Sequence, residues 1–192
     1  KQFLIQDSAS AEEMLKRDIV NAISDKLEAT ILGSAAGSAT MPAGIFNGVT
    51  PETKDITYKR LVDMETALEE ANVAGNKCFI VSPSAKGILK TTAKDALYNV
   101  TDGGVHTCVG CAGCLMEENE VNGYPVYCTS NVTSKGVVMG HFEDFVIGQW
   151  GGIDLTVDPY TQAANGKVRL VINAYFDAKP RRTGSFQKAI LK

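Results

Sequence analysis

Apolar residues recur at helical spacing near the start of the chain and predict one long amphipathic helix. Ser8 or Ser10 can cap its first turn, and Glu13 completes a capping box with Ser10. Gly33 ends the pattern, which gives a helix of about 22 residues and about 33 Å. Its apolar stripe consists of Leu15, Ile19, Ala22, Ile23, Leu27 and Ile31. This length favours a scaffold spine, although an ordinary core helix fits the same pattern.

The middle of the chain alternates between helical and strand patterns. A second amphipathic helix is predicted at residues 57–72, a short apolar strand at Cys78–Val81 and a third helix from Pro83 to about residue 90. One apolar face of the second helix is formed by Leu61, Met64, Leu68 and Ala71. This alternation indicates an α/β half at residues 50–150.

The last third of the chain, residues 121–192, has the pattern of successive strands. Asn122-Gly123 predicts a turn before a strand, and Asn165-Gly166 predicts another between residues 153–157 and 168–176. These last two segments are therefore expected to form a long antiparallel hairpin. The predicted strands are 124–128, 136–142, 145–150, 152–158, 168–176 and the amphipathic terminal segment 185–192. No catalytic constellation lies among them, which favours a building block over an enzyme.

The charge of the chain is small but unevenly distributed. Its 192 residues carry a net charge of −3, so it lacks the overall basic field of a dedicated nucleic-acid binder. The residues after Ala178 include no acid and five bases, namely Lys179, Arg181, Arg182, Lys188 and Lys192. A solvated, Lys- and Arg-protected edge explains them, and a contact with an acidic neighbour or packaged nucleic acid is the alternative. No run of about 18 apolar residues is present, so no membrane contact is predicted.

The first residue and the cysteine count bear on the origin of the chain. It begins at Lys1 rather than Met, from which we expect a processed or truncated product. Five cysteines are an odd number in a chain too large to need disulfides, which favours a reducing compartment.

The sharpest chemical signal is a cysteine cluster in the middle of the chain. Cys108, Cys111 and Cys114 are spaced by two residues, with His106 nearby and Cys128 as a distant further ligand. Thiolates at this spacing can converge on zinc or an iron–sulfur cluster, but the fourth cysteine and proline of a ferredoxin pattern are missing. A Gly-rich turn without a metal, a Cys₃His zinc site and a disulfide all fit. We predict no metal and no cofactor.

The remaining candidates for chemistry have ordinary structural interpretations. His141 has no nucleophile near it in sequence and is expected to be a packed or edge histidine. Trp150, beside two glycines, is expected to be a packing anchor where two halves of the chain meet, with ligand stacking as the alternative. The small-residue loop at 33–50 lacks the lysine of a phosphate-binding loop. A solvated turn accounts for Glu117, Glu118 and Glu120.

Three motifs, taken in their order along the chain, resemble one known family. They are the long helix followed by Met41-Pro-Ala-Gly-Ile-Phe46, then Val121-Asn-Gly-Tyr-Pro-Val-Tyr127, and then Gly140-His-Phe-Glu-Asp-Phe-Val-Ile-Gly148 leading into Ile153-Asp-Leu-Thr-Val-Asp158. Together they are similar to the major capsid proteins of tailed bacteriophages, the group with the HK97 fold. The resemblance extends over essentially the whole chain, while each motif alone is short.

The resemblance implies an α+β capsid fold divided into two regions. Residues 1–49 and 151–192 are expected to form a peripheral P-domain with the spine helix and a long β-hairpin, and residues 50–150 an axial A-domain. The family's N-terminal arm and most of its E-loop precede the spine helix and are missing, so this fragment is expected to remain monomeric or form small oligomers. No covalent cross-link is inferred. The structural positions are Leu15, Ile19, Ile23, Leu27, Pro42, Gly44, Gly123, Pro125, Trp150 and Gly166.

The function implied is that of a non-enzymatic shell subunit. The resemblance implies pentamers and hexamers in an icosahedral shell around DNA held without sequence specificity. Scaffolding protein, assembly protease and portal are further expected partners. The expected location is the virion capsid, and the host bacterial cytoplasm during assembly. The alternatives are an encapsulin-like compartment shell and a small metal or redox protein that uses the cysteine cluster.

Overall fold

The computed structural model describes residues 8–94, 113–158, 160–166 and 169–192. The helices are α1 (Ser8–Ile31), α2 (Tyr58–Glu70) and α3 (Pro83–Thr91). The strands are β1 (Cys78–Val81), β2 (Glu120–Val121), β3 (Tyr124–Cys128), β4 (Gly136–Gly140), β5 (Phe145–Asp158), β6 (Arg169–Pro180) and β7 (Phe186–Ile190). His106, Cys108 and Cys111, three of the four candidate metal ligands, lie outside the described residues.

The predicted spine helix is confirmed as α1, which has 24 residues and is about 36 Å long. Leu15, Ile19, Ile23 and Leu27 are only half-buried, whereas Ile31 at the end of the helix is buried. The single chain therefore holds this helix mainly by its last turn, and most of its apolar stripe is not covered by a core. No helix within the described ranges is long and apolar enough to cross a membrane.

The loop after α1 folds back against the end of the helix. Ile45 N donates to Ile31 O at 2.7 Å, and Phe46 N donates to Gly33 O at 3.0 Å. A Cβ on Gly44 would lie 2.2 Å from Gly33 O, so only glycine fits at this position. The close approach buries the Phe46 side chain completely. Pro42, in the same loop, is half-buried.

A five-stranded sheet in the order β2-β3-β1-β4-β7 forms the centre of the molecule. β1 and β3 are parallel, and the other neighbours are antiparallel. Phe79, Val137 and Met139 face one hydrophobic core with α2 and α3, whereas Ile80 and Val138 face a second core with the end of α1. Alternation along each strand thus covers both sides of the sheet.

The helices that cover the first core begin at side-chain caps. The hydroxyl of Thr57 accepts a hydrogen bond from Arg60 N, and that of Ser82 accepts one from Ala85 N. Leu61, Met64 and Leu68 of α2 are buried, as the periodicity predicts. Ala71, assigned to the same face, is exposed because α2 has already ended at Glu70.

The predicted hairpin is confirmed and is longer than expected. β5 pairs with β6 from Phe145–Pro180 at its base to Asp158–Arg169 at its tip. The expected strands 145–150 and 152–158 form the single strand β5, with a register shift between Trp150 and Asp154. Gly151, with φ +74°, lies in this bulge. Both predicted Asn-Gly turns are found at strand connections, with Gly123 and Gly166 in the left-handed region.

The hydrogen bonding crosses the expected division of the chain. β7, assigned to the peripheral region, pairs with β4 along its whole length and completes the sheet of residues 78–140. Residues 145–150, assigned to the axial region, belong to the hairpin. The division into two regions stays a prediction. In the hydrogen bonding, β7 belongs with residues 78–140, and residues 145–150 belong with the hairpin.

Candidate interaction surface on the long hairpin

The β5–β6 hairpin has an inner face that packs on the rest of the molecule. Ala178 is buried there, and Phe145 packs against the second core together with Phe186. The Phe145 and Phe186 rings meet edge to face with centroids 5.9 Å apart. The hairpin forms a sheet of its own, since no other described strand pairs with it.

The outer face of the hairpin carries an exposed aromatic pair. Trp150 lies directly opposite Tyr175 in the register, and the two side chains are 59% and 67% exposed. Directly opposite residues of an antiparallel pair share a face. On β6 the same alternation brings Asn173 and Asp177 to this face, on either side of Tyr175.

The expectation that Trp150 anchors the two halves of the chain is wrong for the single chain. Its side chain is in solvent rather than in a core. A Cβ on Gly148 would come within 2.8 Å of the Trp150 ring atom Cη2, so the ring lies over this glycine along its own strand. The missing side chain at Gly148 therefore leaves room for the indole ring. An aromatic side chain displayed in this way is typical of a binding surface.

β5 carries further exposed apolar side chains. Val146, on the same face as Trp150, is about half exposed, as are Ile147, opposite Ala178 on the inner face, and Ile153 in the bulge. Two-stranded hairpins are marginally stable alone in water, and contiguous exposed apolar patches on a folded chain mark interaction sites. The hairpin thus has the features of a surface that becomes buried against another molecule.

The basic residues after Ala178 separate into two groups. Lys188 Nζ donates to Ile45 O at 2.6 Å, and Lys192 Nζ lies 3.4 Å from Asp55 Oδ1. Lys179, Arg181 and Arg182 are exposed at the base of the hairpin and have no ion pair with any described residue. The first group has a structural role, and the second leaves positive charge unpaired beside the apolar surface.

A partly buried hydrogen bond fixes the base of the hairpin. Ser185, only 1% exposed, donates its hydroxyl proton to Asp144 Oδ2 at 2.6 Å, and Arg181 N donates to Asp144 O at 2.8 Å. The bond from Ser185 lowers the pKa of Asp144, and the charge of Arg182 lowers it further against the opposing effect of desolvation. The start of β5 is in this way tied to the segment between β6 and β7.

The other predicted candidates do not form a shared site. The described residues contain no group of three His, Cys, Asp or Glu that could hold a metal. Cys114 is half-buried, Cys128 is exposed on β3, and burial raises the pKa of the Cys78 thiol. The His141 side chain is 12% exposed and its Nδ1 lies 2.9 Å from Asn76 O.

The acidic residues before β3 and the short β2–β3 hairpin contact neighbouring elements of the fold. Lys94 forms an ion pair with Glu117 at 3.3 Å, and Glu117, Glu118 and Glu120 are all exposed. Pro125 lies opposite Glu120 on the short β2–β3 hairpin. The Tyr124 hydroxyl of this hairpin donates to Glu65 Oε1 on α2 at 2.9 Å. Sequence reasoning missed this contact and the Asp144–Ser185 bond, since neither pair has a local signature.

Comparison with known proteins gives one consistent result. The family model described as "Phage capsid family" matches residues 1–189. A curated relative, the major capsid protein of Halomonas phage phiHAP-1, is 27% identical over 190 residues. The match covers 96% of this chain and 29% of the relative, so the chain spans less than a third of that protein's length.

Solved structures share the fold at low sequence identity. The capsid of an empty GTA particle matches with a TM-score of 0.66 at 16% identity, over 100% of this chain and 69% of that one. The Gordonia phage Cozz structure matches with a TM-score of 0.62 at 17% identity, over 100% and 66%. The SrpI encapsulin complex of Synechococcus elongatus PCC 7942 matches with a TM-score of 0.59 at 12% identity, over 97% and 68%. These matches show the HK97 fold.

Proposed function

This chain belongs to the phage capsid family, and from that premise we propose that it is the shell-forming part of a major capsid protein of a tailed phage or prophage. Copies of the chain assemble into pentamers and hexamers that close into an icosahedral shell around DNA. Closed symmetry makes such a shell stable, because each subunit combines several modest contacts. The protein is then located in the virion capsid, and in the host bacterial cytoplasm during assembly.

The observation that carries this proposal is the long hairpin with its exposed outer face. In a single chain, Trp150, Tyr175 and Ile153 face water, and the apolar stripe of α1 is only half-buried. Exposed apolar surface of this kind is costly in water and is removed by association with another subunit. A shell subunit requires such surfaces, whereas a monomeric enzyme does not.

The two regions of the chain have different roles in such a shell. We propose that α1 and the β5–β6 hairpin form the peripheral plate. The five-stranded sheet with α2, α3 and β7 forms the part that packs around the local rotation axis. The Asp144–Ser185 bond lies where these regions join and fixes their relative direction.

Phage shells are favoured over encapsulin-type compartments. The family model and the curated relative are both phage capsid proteins, whereas the encapsulin is similar at 12% identity, which is informative about fold alone. DNA is accordingly the proposed content, held without sequence specificity, and scaffolding protein, assembly protease and portal are the proposed further partners. The role is structural rather than catalytic.

Particle formation by the full-length gene product tests this proposal. The protein is expressed in bacteria, purified by size-exclusion chromatography with light scattering, and viewed by negative-stain electron microscopy. Uniform closed shells, or rings of five or six, are expected. A monodisperse monomer at high concentration and under crowding would contradict the proposal, and shells filled with one protein cargo would favour the compartment.

A further inference from the structure

Two patches of opposite character follow one another along the hairpin. The aromatic–acidic patch consists of Trp150, Tyr175, Asp154 and Asp177 on the outer face. The basic patch consists of Lys179, which lies opposite Val146 on the same face, and of the exposed Arg181 and Arg182, which follow the end of β6 at the base of the hairpin. All of the ionisable side chains in both patches are exposed. The patches are therefore open to another molecule in the single chain.

The aromatic–acidic patch has carboxylates on both sides of its rings. Asp177 lies opposite Gly148 on the base side of the Trp150–Tyr175 pair, and Asp154 lies opposite Asn173 on the tip side. One Asp177 oxygen accepts the backbone N–H of Ala178 at 2.9 Å. Neither carboxylate has an ion pair with a described residue. The patch thus presents an apolar centre with negative charge around it.

The basic patch has the complementary composition. It combines three cations with the exposed aliphatic side chain of Val146. Arginine and lysine pair with carboxylates, and guanidinium groups also stack on the faces of Trp and Tyr rings. One surface would therefore satisfy both the charge and the aromatic groups of the other.

The two patches form no ion pair with each other within the described part of the chain. Tyr175, Asp177 and Lys179 point the same way from one strand and are about 7 Å apart in succession, so the patches lie side by side rather than face to face. No ion pair within 4.0 Å joins Lys179 to Asp177 among the described residues. A second copy of the chain carries the same two patches and can present either one to the other.

We propose that the aromatic–acidic patch of one copy docks on the basic patch of a second copy, with Asp154 and Asp177 facing Lys179, Arg181 and Arg182 across the contact. The proposal rests on the proposed shell function and names the surfaces that meet within it. The charges give the contact its register and its rate of formation, while the aromatic pair supplies the apolar area that is removed from water.

Charge reversal and its restoration test the proposal in the full-length protein. One variant carries Asp154→Lys and Asp177→Lys, a second carries Lys179→Glu and Arg181→Glu, and a third carries all four changes. Arg182 is kept because its charge lowers the pKa of Asp144 more than that of Arg181 does. The control carries Lys54→Glu and Glu70→Lys, two exposed positions outside the hairpin, and it matches the four-site variant in leaving the net charge unchanged. The melting temperature of each variant shows that it is folded.

Association is measured by sedimentation equilibrium and, separately, closed particles are counted by electron microscopy. Each two-site variant should lose at least about 10-fold in association, because like charges then face each other across the contact. The four-site variant should recover most of the loss, as should an equimolar mixture of the two two-site variants. Association of the wild type should weaken as salt is raised from about 0.1 M to about 1 M, since screening shortens the reach of exposed charges.

The outcomes separate this inference from the shell function. If both two-site variants form shells as well as the wild type does, the docking contact is overturned and the shell function stays intact. Wild-type protein that forms no shells, but associates in pairs with the predicted reversal and recovery, would overturn the shell function alone. The contact would also be overturned if the two-site variants are folded and the four-site variant associates no more strongly than either of them.

Discussion

Ser185 and Asp144 are 41 positions apart in the chain, yet a hydrogen bond of 2.6 Å joins the Ser185 hydroxyl to the Asp144 carboxylate. Asp144 immediately precedes β5, and Ser185 immediately precedes β7. The bond therefore ties the hairpin to the edge strand of the central sheet. The edge-to-face contact of Phe142 with Phe186, with centroids 5.3 Å apart, covers the same junction.

Ser185→Ala should raise the pKa of Asp144 toward its ordinary value of about 3.9, because the variant removes the main cause of its lowering. A group with a lowered pKa in the folded state contributes stability above its unfolded pKa, and this contribution is lost as the pH falls through the folded pKa. The stability difference between wild type and Ser185→Ala should thus be largest near neutral pH and shrink below about pH 4.

Carboxyl chemical shifts of Asp144 and denaturant unfolding at several pH values check this prediction. Thr183→Ala, an exposed change two residues before Ser185, is the control and should leave both quantities unchanged. A stability difference that is constant from neutral pH to about pH 3 would show that the hydroxyl acts by packing rather than through the carboxylate.

Tyr124→Phe should destabilise the fold by about 1–2 kcal/mol, since it removes the hydrogen bond to Glu65 and leaves a partly buried carboxylate with one partner fewer. The measurement is the free energy of unfolding in urea. Tyr127→Phe is the matched control, because Tyr127 is 60% exposed on the same strand and has no such bond among the described residues. Equal effects of the two variants would refute a role for the Tyr124–Glu65 bond.

Gly44→Ala should destabilise the protein by about 3 kcal/mol, because its Cβ has no room beside the Gly33 carbonyl. Gly87→Ala provides the opposite case, since Gly87 lies in α3 and a Cβ there would meet no atom within 4 Å. That variant should be more stable than wild type by roughly 0.5–1 kcal/mol through helix propensity. Thermal melts of both proteins give the answer, and a neutral Gly44→Ala would mean that the loop is not fixed as described.

Replacing Trp150 and Tyr175 with Ser should reduce particle formation while leaving the fold intact, because both side chains are in solvent in the single chain. The expected reduction is about 10-fold or more in particle yield, as for central aromatic residues at other interfaces. Tyr127→Ser is a control with a similarly exposed ring on the central sheet. A large drop in melting temperature for Trp150→Ser would instead assign the indole a role in folding.

The sequence was sufficient to predict the local elements of the fold. Helical spacing identified α1 and α2, and the Asn165-Gly166 turn between two alternating segments identified the hairpin. The residue pattern predicts two separate strands, 145–150 and 152–158, with Gly151 between them. This break is a bulge within one strand, because an antiparallel pair can accommodate extra residues on one side and continue beyond them.

The relationships between distant segments could not be predicted in this way. The pairing of β7 with β4 and the Tyr124–Glu65 bond join residues with no common periodicity. Trp150 shows a second limit. Burial within a chain and burial between copies favour the same residue types, so a tryptophan next to glycines predicts an apolar contact without saying which molecule supplies it.

The most direct test of the shell function is a cryo-electron microscopy reconstruction of particles formed by the full-length gene product. We expect a closed icosahedral shell whose subunit density contains α1 and the β2-β3-β1-β4-β7 sheet, with the β5–β6 hairpin buried between subunits. Particles in which Trp150 and Tyr175 remain in solvent would contradict the assembly role of the hairpin. Complete failure to form closed particles at any concentration would contradict the shell function itself.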